Sequence, residues 1–194
     1  MAMQFINTRP DQRAKTLSLF LRQHGIEVID LPLLALVEKP LTVAERAVLQ
    51  SIDHYQVVVL VSEAAVKYGL ARLTTLVKLT ELSNKIVWVA VGEKTANYFN
   101  QTWQQITELP APTIIFPDEK RAQNNEGLLN LPIIQSLGTG DYLQVWRGIG
   151  GRELLVDTLT AKGVQVHLLN LYQRVLPSAT TQAFAVWQQT QSHN

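Results

Sequence analysis

The chain has no cysteine. Disulfides, thiolate nucleophiles and sulfur-ligated metals are therefore excluded by inventory, and a reducing compartment suits it. An excess of either charge is also lacking: 17 Lys and Arg stand against 16 Asp and Glu, a formal net charge of +1 over 194 residues. Such a balance sets up no general field for nucleic acid or an anionic membrane, so any anion binding has to be local. No segment reaches the roughly 18 uninterrupted apolar residues of a membrane span, and the start, "MAMQFINTRP", has no basic region followed by an apolar run. His24, His54, His167 and His193 fall in no H-x-x-H or H-E-x-x-H spacing, so the residues suggest no metal site. These absences predict a cytoplasmic, unanchored protein with no metal, no membrane partner and no nucleic-acid partner.

What is present is a core-forming pattern, with 46% of the residues hydrophobic. "MQFINT" reads as a strand, "DQRAKTLSLFLRQHG" as a helix with Leu17, Phe20 and Leu21 on one face, and "IEVIDLPLL" as a second strand. "ALVEKPLTVAERAVLQSIDHY" reads as a proline-interrupted link and a helix. "QVVVLV" is a continuous β-branched run of the kind buried on both faces of a parallel sheet. The strand, turn, helix unit then recurs in "VVVLVSEAAVKYGLARL", "KIVWVAVGEKTANYFNQ" and "YLQVWRGIGGRELLVDTLTAKG", the last with Leu154, Leu155, Thr158 and Leu159 as its helical stripe. Between these units, "ELPAPTIIFPDEKRAQNNEG" predicts a short strand, an irregular loop and a helix starting near Asn125. This alternation predicts an α/β fold with a mostly parallel sheet. The ending, "LYQRVLPSATTQAFAVWQQTQSHN", offers a linker and one helix with no strand after it, so the opening βαβ unit is expected to be short of partner strands.

Each strand-to-helix turn carries small or hydroxyl residues: Thr8, then Ser62, then Gly92 and Thr95, then Gly148, Gly150 and Gly151. In open α/β sheets that edge is where ligands sit, facing helix N-termini whose free N–H groups attract anions. "RGIGGRE" lacks the lysine and hydroxyl residue of a P-loop and is no clean G-x-G-x-x-G, so two readings stand. One is a plain tight turn; the other is an anion cradle, favoured by the flanking Arg147 and Arg152. Ser62 and Thr95 read as capping or local hydrogen-bonding residues rather than nucleophiles. Trp88, Trp103, Trp146 and Trp187 read as core. Tyr172, in "LNLYQRVLP", is either a packed linker residue or a hinge tyrosine facing a cleft.

Taken in order, Thr8-Arg9-Pro10, "LVSEAAV", "VAVGEKTA", "EGLL", "WRGIGGRELLVDTL" and "LNLYQRVLP" resemble the uroporphyrinogen-III synthase family over about residues 5 to 177. The family's second strand-serine unit and second V-G-x-x-T turn have no counterpart here. The resemblance implies two flavodoxin-like parallel-sheet domains on a two-stranded connector. Residues 1–34 would open domain 1, 38–170 would form domain 2, and 174–194 would begin the return to domain 1, whose remainder is missing from the chain. It also implies ring closure of hydroxymethylbilane to uroporphyrinogen III with inversion of the last ring, needing no cofactor, by a protein that is a monomer when complete. Tyr172 is implied as the acid assisting loss of the hydroxyl group. Thr8, Arg9, Ser62, Gly92, Thr95, Arg147, Gly148, Gly150 and Gly151 are implied as substrate-binding residues. Two other readings remain open: a non-catalytic anion- or tetrapyrrole-binding α/β module, and an inactive fragment of a larger fold.

Overall fold

Period-2 burial organises the larger part of the molecule: along "VVVL", Val58 and Leu60 face one apolar cluster, and Val57 and Val59 face another. The computed structural model describes residues 4–118 and 124–191. The elements in chain order are β1 (Gln4–Asn7), α1 (Asp11–Gln23), β2 (Glu27–Asp30), β3 (Ala35–Glu38), α2 (Val43–Gln50), β4 (Val57–Leu60), α3 (Glu63–Leu76), β5 (Val87–Ala90), α4 (Glu93–Ile106), β6 (Ile114–Ile115), α5 (Asn125–Leu129), α6 (Pro132–Gln135), β7 (Tyr142–Gly148), α7 (Leu154–Ala161), β8 (Gln165–Val175) and α8 (Ser178–Gln191). The chain divides into two compact units, Met1–Val37 with Arg174–Asn194, and Glu38–Gln173. The boundary falls inside β3 and inside β8.

Within the Glu38–Gln173 unit the strands lie in the order β8-β7-β4-β5-β6, with every pairing parallel. One face is covered by α2, α3 and α4, through Leu49, Val66, Leu70, Leu73, Phe99 and Trp103, and there Trp88 and Trp146 meet edge to face with centroids 5.5 Å apart. The other face is covered by α5, α6 and α7, through Leu128, Ile134, Leu155 and Leu159. The α/β expectation stands, and Trp88, Trp103 and Trp146 are core as read, while Trp187 on α8 is only partly buried.

The strand order corrects the flavodoxin-like expectation. Counted from β4, the five parallel strands lie 3-2-1-4-5, whereas flavodoxin has 2-1-3-4-5. The chain winds outwards from β4 through β5 and β6, then returns to place β7 and β8 on the opposite side. The direction of winding therefore reverses between β4 and β7.

Three local readings are also corrected. The sequence pattern does not predict β3, because Pro40 and the polar Glu38-Lys39 pair dominate the stretch, yet Lys39 N–H donates to the Leu171 carbonyl at 2.9 Å and extends the contact with β8. Phe20 is 55% exposed and rests on His24, with ring centroids 4.3 Å apart, because the buried stripe of α1 runs through Ala14 and Ser18 at i, i+4 instead. "LYQRV" is no linker: β8 continues through it to Val175.

In the other unit β1 and β2 pair in parallel, Gln4 with Glu27 through Asn7 with Asp30. Their carboxyl ends are tied by a polar network beneath α1. Asn7 Nδ2 donates to Ser18 Oγ at 2.8 Å, and Ser18 Oγ donates to Asp30 Oδ1 at 2.5 Å. Arg22 pairs with Asp30 Oδ2 at 2.7 Å.

Candidate functional site

Ligands of open parallel sheets lie outside the carboxyl ends of the strands where the winding reverses. Here that point lies between the carboxyl ends of β4 and β7, followed respectively by Ser62 and by the turn Ile149–Glu153. Ser62 caps α3, its Oγ accepting from Ala65 N–H at 3.1 Å. The capping reading of Ser62 thus holds. The same Oγ lies 3.0 Å from the hydroxyl of Tyr172, 110 residues away in sequence.

A β-bulge brings Tyr172 there. Arg147 pairs with Asn170 but Gly148 pairs with Tyr172, so Leu171 is the extra residue and the alternation of β8 is broken. Leu169, Leu171 and Tyr172 consequently all join the cluster under α3. The ring of Tyr172 lies against Gly148, where an added Cβ would fall 2.5 Å from Cε2, and tilts against the Tyr68 ring with centroids 5.9 Å apart. Tyr172 is 3% exposed, so it is packed within a strand and faces Ser62 rather than open solvent.

The Gly-rich turn is braced from within. Arg147, the expected carboxylate ligand, is buried, and its guanidinium makes two bonds to Glu153, at 2.7 and 3.3 Å, and one to the Gly151 carbonyl at 3.1 Å. It presents no free cation; its charge is matched by Glu153, whose carboxyl it holds below the ordinary range by hydrogen bonding, with burial opposing weakly. Gly150 has φ +74°, the left-handed conformation that favours glycine, and so makes the bend. Gly151 lies over Arg147 Nε, which an added Cβ would approach to 3.2 Å.

The neighbouring turn after β5 differs. Gly92 stands at the N-cap of α4 with no side chain to offer, and Thr95, in the first turn, is buried with no hydrogen bond from its hydroxyl among the described residues. Lys94 reaches across to Glu63 at the start of α3, 2.9 Å away. A glutamate opens α3 (Glu63) and α4 (Glu93) and another, Glu153, stands at the N-cap of α7, which suits the helix dipole and cancels local positive charge. What the edge retains for an anion is backbone: the N–H groups of Glu93, Lys94, Gly150, Gly151 and Arg152 donate to no described residue. Arg152 is exposed and makes no ion pair among the described residues.

Thr8 and Arg9 stand together after β1, both exposed. The Thr8 carbonyl accepts from Leu33 N–H at 3.1 Å and Arg9 N–H donates to Asn7 Oδ1 at 3.3 Å, so the polar network under α1 fixes this turn. Sequence reasoning missed Glu153 and Tyr68; an acidic residue directly after the glycines, opposite in sign to Arg147, was the available signal for the first. Among the described residues no group of three or more His, Asp or Glu is placed to hold a metal ion, and no helix is long and apolar enough to cross a membrane.

The model of the family described as Uroporphyrinogen-III synthase HemD matches residues 15–192. The chain is 28% identical over 191 residues to a uroporphyrinogen-III synthase of Proteus mirabilis, covering 97% of this chain and 89% of that protein. To the uroporphyrinogen-III synthase of Salmonella typhimurium it is 30% identical over 175 residues, covering 89% of this chain and 65% of that one. Among solved structures, a mutant uroporphyrinogen III synthase of the extremely thermophilic bacterium Thermus thermophilus shares the fold with a TM-score of 0.66 at 15% identity, over 92% of this chain and 65% of that chain. The chain thus spans about two thirds of the Salmonella and Thermus proteins. It belongs to the uroporphyrinogen-III synthase HemD family.

Proposed function

We propose that this chain acts as a uroporphyrinogen-III synthase, closing hydroxymethylbilane to uroporphyrinogen III with inversion of the last ring and release of water. One observation supports this above the rest: a hydrogen-bonded Tyr172–Ser62 pair at the β4/β7 reversal, beside backbone N–H groups that donate to no described residue. The substrate carries acetate and propionate groups, and the turns at Gly92–Lys94 and Gly150–Arg152 offer them N–H donors. Thr95, Gly148 and Gly151 line the substrate site with them, as do Thr8 and Arg9 of the turn after β1.

The bilane loses its hydroxyl group to give a reactive azafulvene, and closes without help to the uninverted isomer. The protein's task is therefore to hold both ends so that attack falls on the substituted carbon of the last ring, through a spiro intermediate. Positioning of that kind supplies roughly 7–11 kcal/mol in favourable systems. Tyr172, hydrogen-bonded to Ser62, gives acid assistance to departure of the hydroxyl. The arrangement we infer has two α/β domains on a two-stranded connector, in a cytoplasmic, monomeric protein.

The test is the product. Isomer III above the spontaneous background, from this chain and fresh hydroxymethylbilane, supports the reading; isomer I alone from the folded chain favours a non-catalytic binding module.

A further inference from the structure

We propose that Ser62, not Tyr172, is the group that passes a proton to the departing hydroxyl, and that Tyr172 recharges it from behind. This rests on the ring-closure reading above. Tyr172 is 3% exposed, and among the described residues its hydroxyl has no hydrogen-bond partner but Ser62 Oγ, at 3.0 Å. A serine donating to the phenol would leave the phenolic proton buried without an acceptor, which buried polar groups avoid. The phenol therefore donates to the serine.

Ser62 Oγ then accepts twice, from Tyr172 O–H and from Ala65 N–H at 3.1 Å. A hydroxyl has two acceptor lone pairs and one donor, so with both pairs engaged the serine proton is what remains to offer. Ser62 is half-buried, at the carboxyl edge of β4, where that proton meets a ligand at the β4/β7 reversal. The bulge at Leu171 and the absence of a side chain at Gly148 hold the phenol behind it.

The step balances. The C–O bond of the hydroxymethyl group breaks with its electron pair going to oxygen, and that oxygen takes the Ser62 proton and leaves as water. Ser62 takes the phenolic proton, and the pyrrole nitrogen lone pair stabilises the azafulvenium so formed. The substituted α-carbon of the last ring bonds to the azafulvenium methylene to give the spiro centre. Its bond to the neighbouring methylene bridge then breaks, leaving that bridge as a second azafulvenium. The free α-carbon of the last ring bonds to it and sheds its proton, which returns through Ser62 to the phenolate. One bilane gives one macrocycle and one water, and both side chains end as they began.

The test uses the whole chain and hydroxymethylbilane, comparing wild type with Ser62→Thr, Ser62→Asn, Tyr172→Phe and the double variant Ser62→Asn/Tyr172→Phe. Asparagine caps a helix as well as serine does but has no hydroxyl proton, so the melting temperature of Ser62→Asn stays near wild type. The relay predicts a kcat for isomer III lowered roughly 100-fold or more in Ser62→Asn and in Tyr172→Phe, with KM little moved. Ser62→Thr restores turnover to within a few-fold of wild type, and the double variant is no slower than the slower single one. Wild-type kcat in Ser62→Asn, or losses that multiply in the double variant, would overturn the relay while leaving the synthase reading standing. Isomer I alone from the wild type would overturn that reading, and the relay with it.

Discussion

Gly148 lies against the ring of Tyr172 so closely that a Cβ on it would stand 2.5 Å from Cε2 and 2.7 Å from Cζ. The backbone of Gly148 is not in the left-handed region, so steric room rather than conformation requires glycine there. Gly148→Ala must displace the phenol from Ser62 or shift β7. The expected outcome is a loss of about 1–3 kcal/mol in urea unfolding together with a fall in turnover. An unchanged midpoint and unchanged turnover would show that the ring is not held by this contact.

Gly69 makes a second, sharper case. It sits in the middle of α3, where alanine ordinarily stabilises a helix by about 0.5–1 kcal/mol. An added Cβ would run into the six-membered ring of the fully buried Trp146. Gly69→Ala is therefore predicted to destabilise, reversing the sign of the propensity effect, and a melting temperature at or above wild type would refute the packing argument.

The Arg147–Glu153 clasp predicts a binding effect rather than a chemical one. Glu153→Ala frees the guanidinium and loosens the turn that presents Gly150, Gly151 and Arg152. KM for hydroxymethylbilane should rise several-fold with kcat nearly unchanged, the pattern of an interaction made equally with substrate and transition state. A fall in kcat at constant KM would place Glu153 in the chemistry instead.

Besides the exposed Glu153, two carboxylates are depressed in the fold and set the response to acid. At Asp30, burial pushes the carboxyl up, but hydrogen bonds from Ser18 and Arg22 outweigh it and the net shift is downwards. At Glu45, burial again opposes, and the bonds from Lys39, the Thr42 N–H of the capping box and the Asn170 N–H prevail. A carboxyl depressed in the folded state contributes stability that is complete above its unfolded value and is lost as pH falls through the folded one. Denaturant midpoints should accordingly fall as pH drops below about 4, and less steeply in Glu45→Gln. Equal slopes in the two proteins would contradict the assignment.

What was legible in the chain was whatever depends on local pattern. The β-branched run at 57–60, the turn at Ser62 and the break at Asn125 each carry their own signal, and the structure places strand, cap and helix start there. β3 escaped because its four residues are held by a neighbour far away in sequence rather than by their own pattern. The bulge at Leu171 escaped for a related reason: register belongs to a pair of strands, and one strand's sequence does not state it. The packed reading of Tyr172 holds, since the ring is buried and its hydroxyl meets a half-buried serine. The sequence misleads at Arg147 because a turn rich in glycine and arginine looks the same whether the cation points outwards or back to a glutamate six residues on.

The most direct measurement is the isomer ratio made by the chain itself. Freshly generated hydroxymethylbilane is incubated with the folded protein, the products are oxidised, and the uroporphyrins are separated by chromatography beside a protein-free control. Isomer III is expected in excess over the control, rising with protein concentration. Isomer I alone, in the same proportion with and without protein, would contradict it.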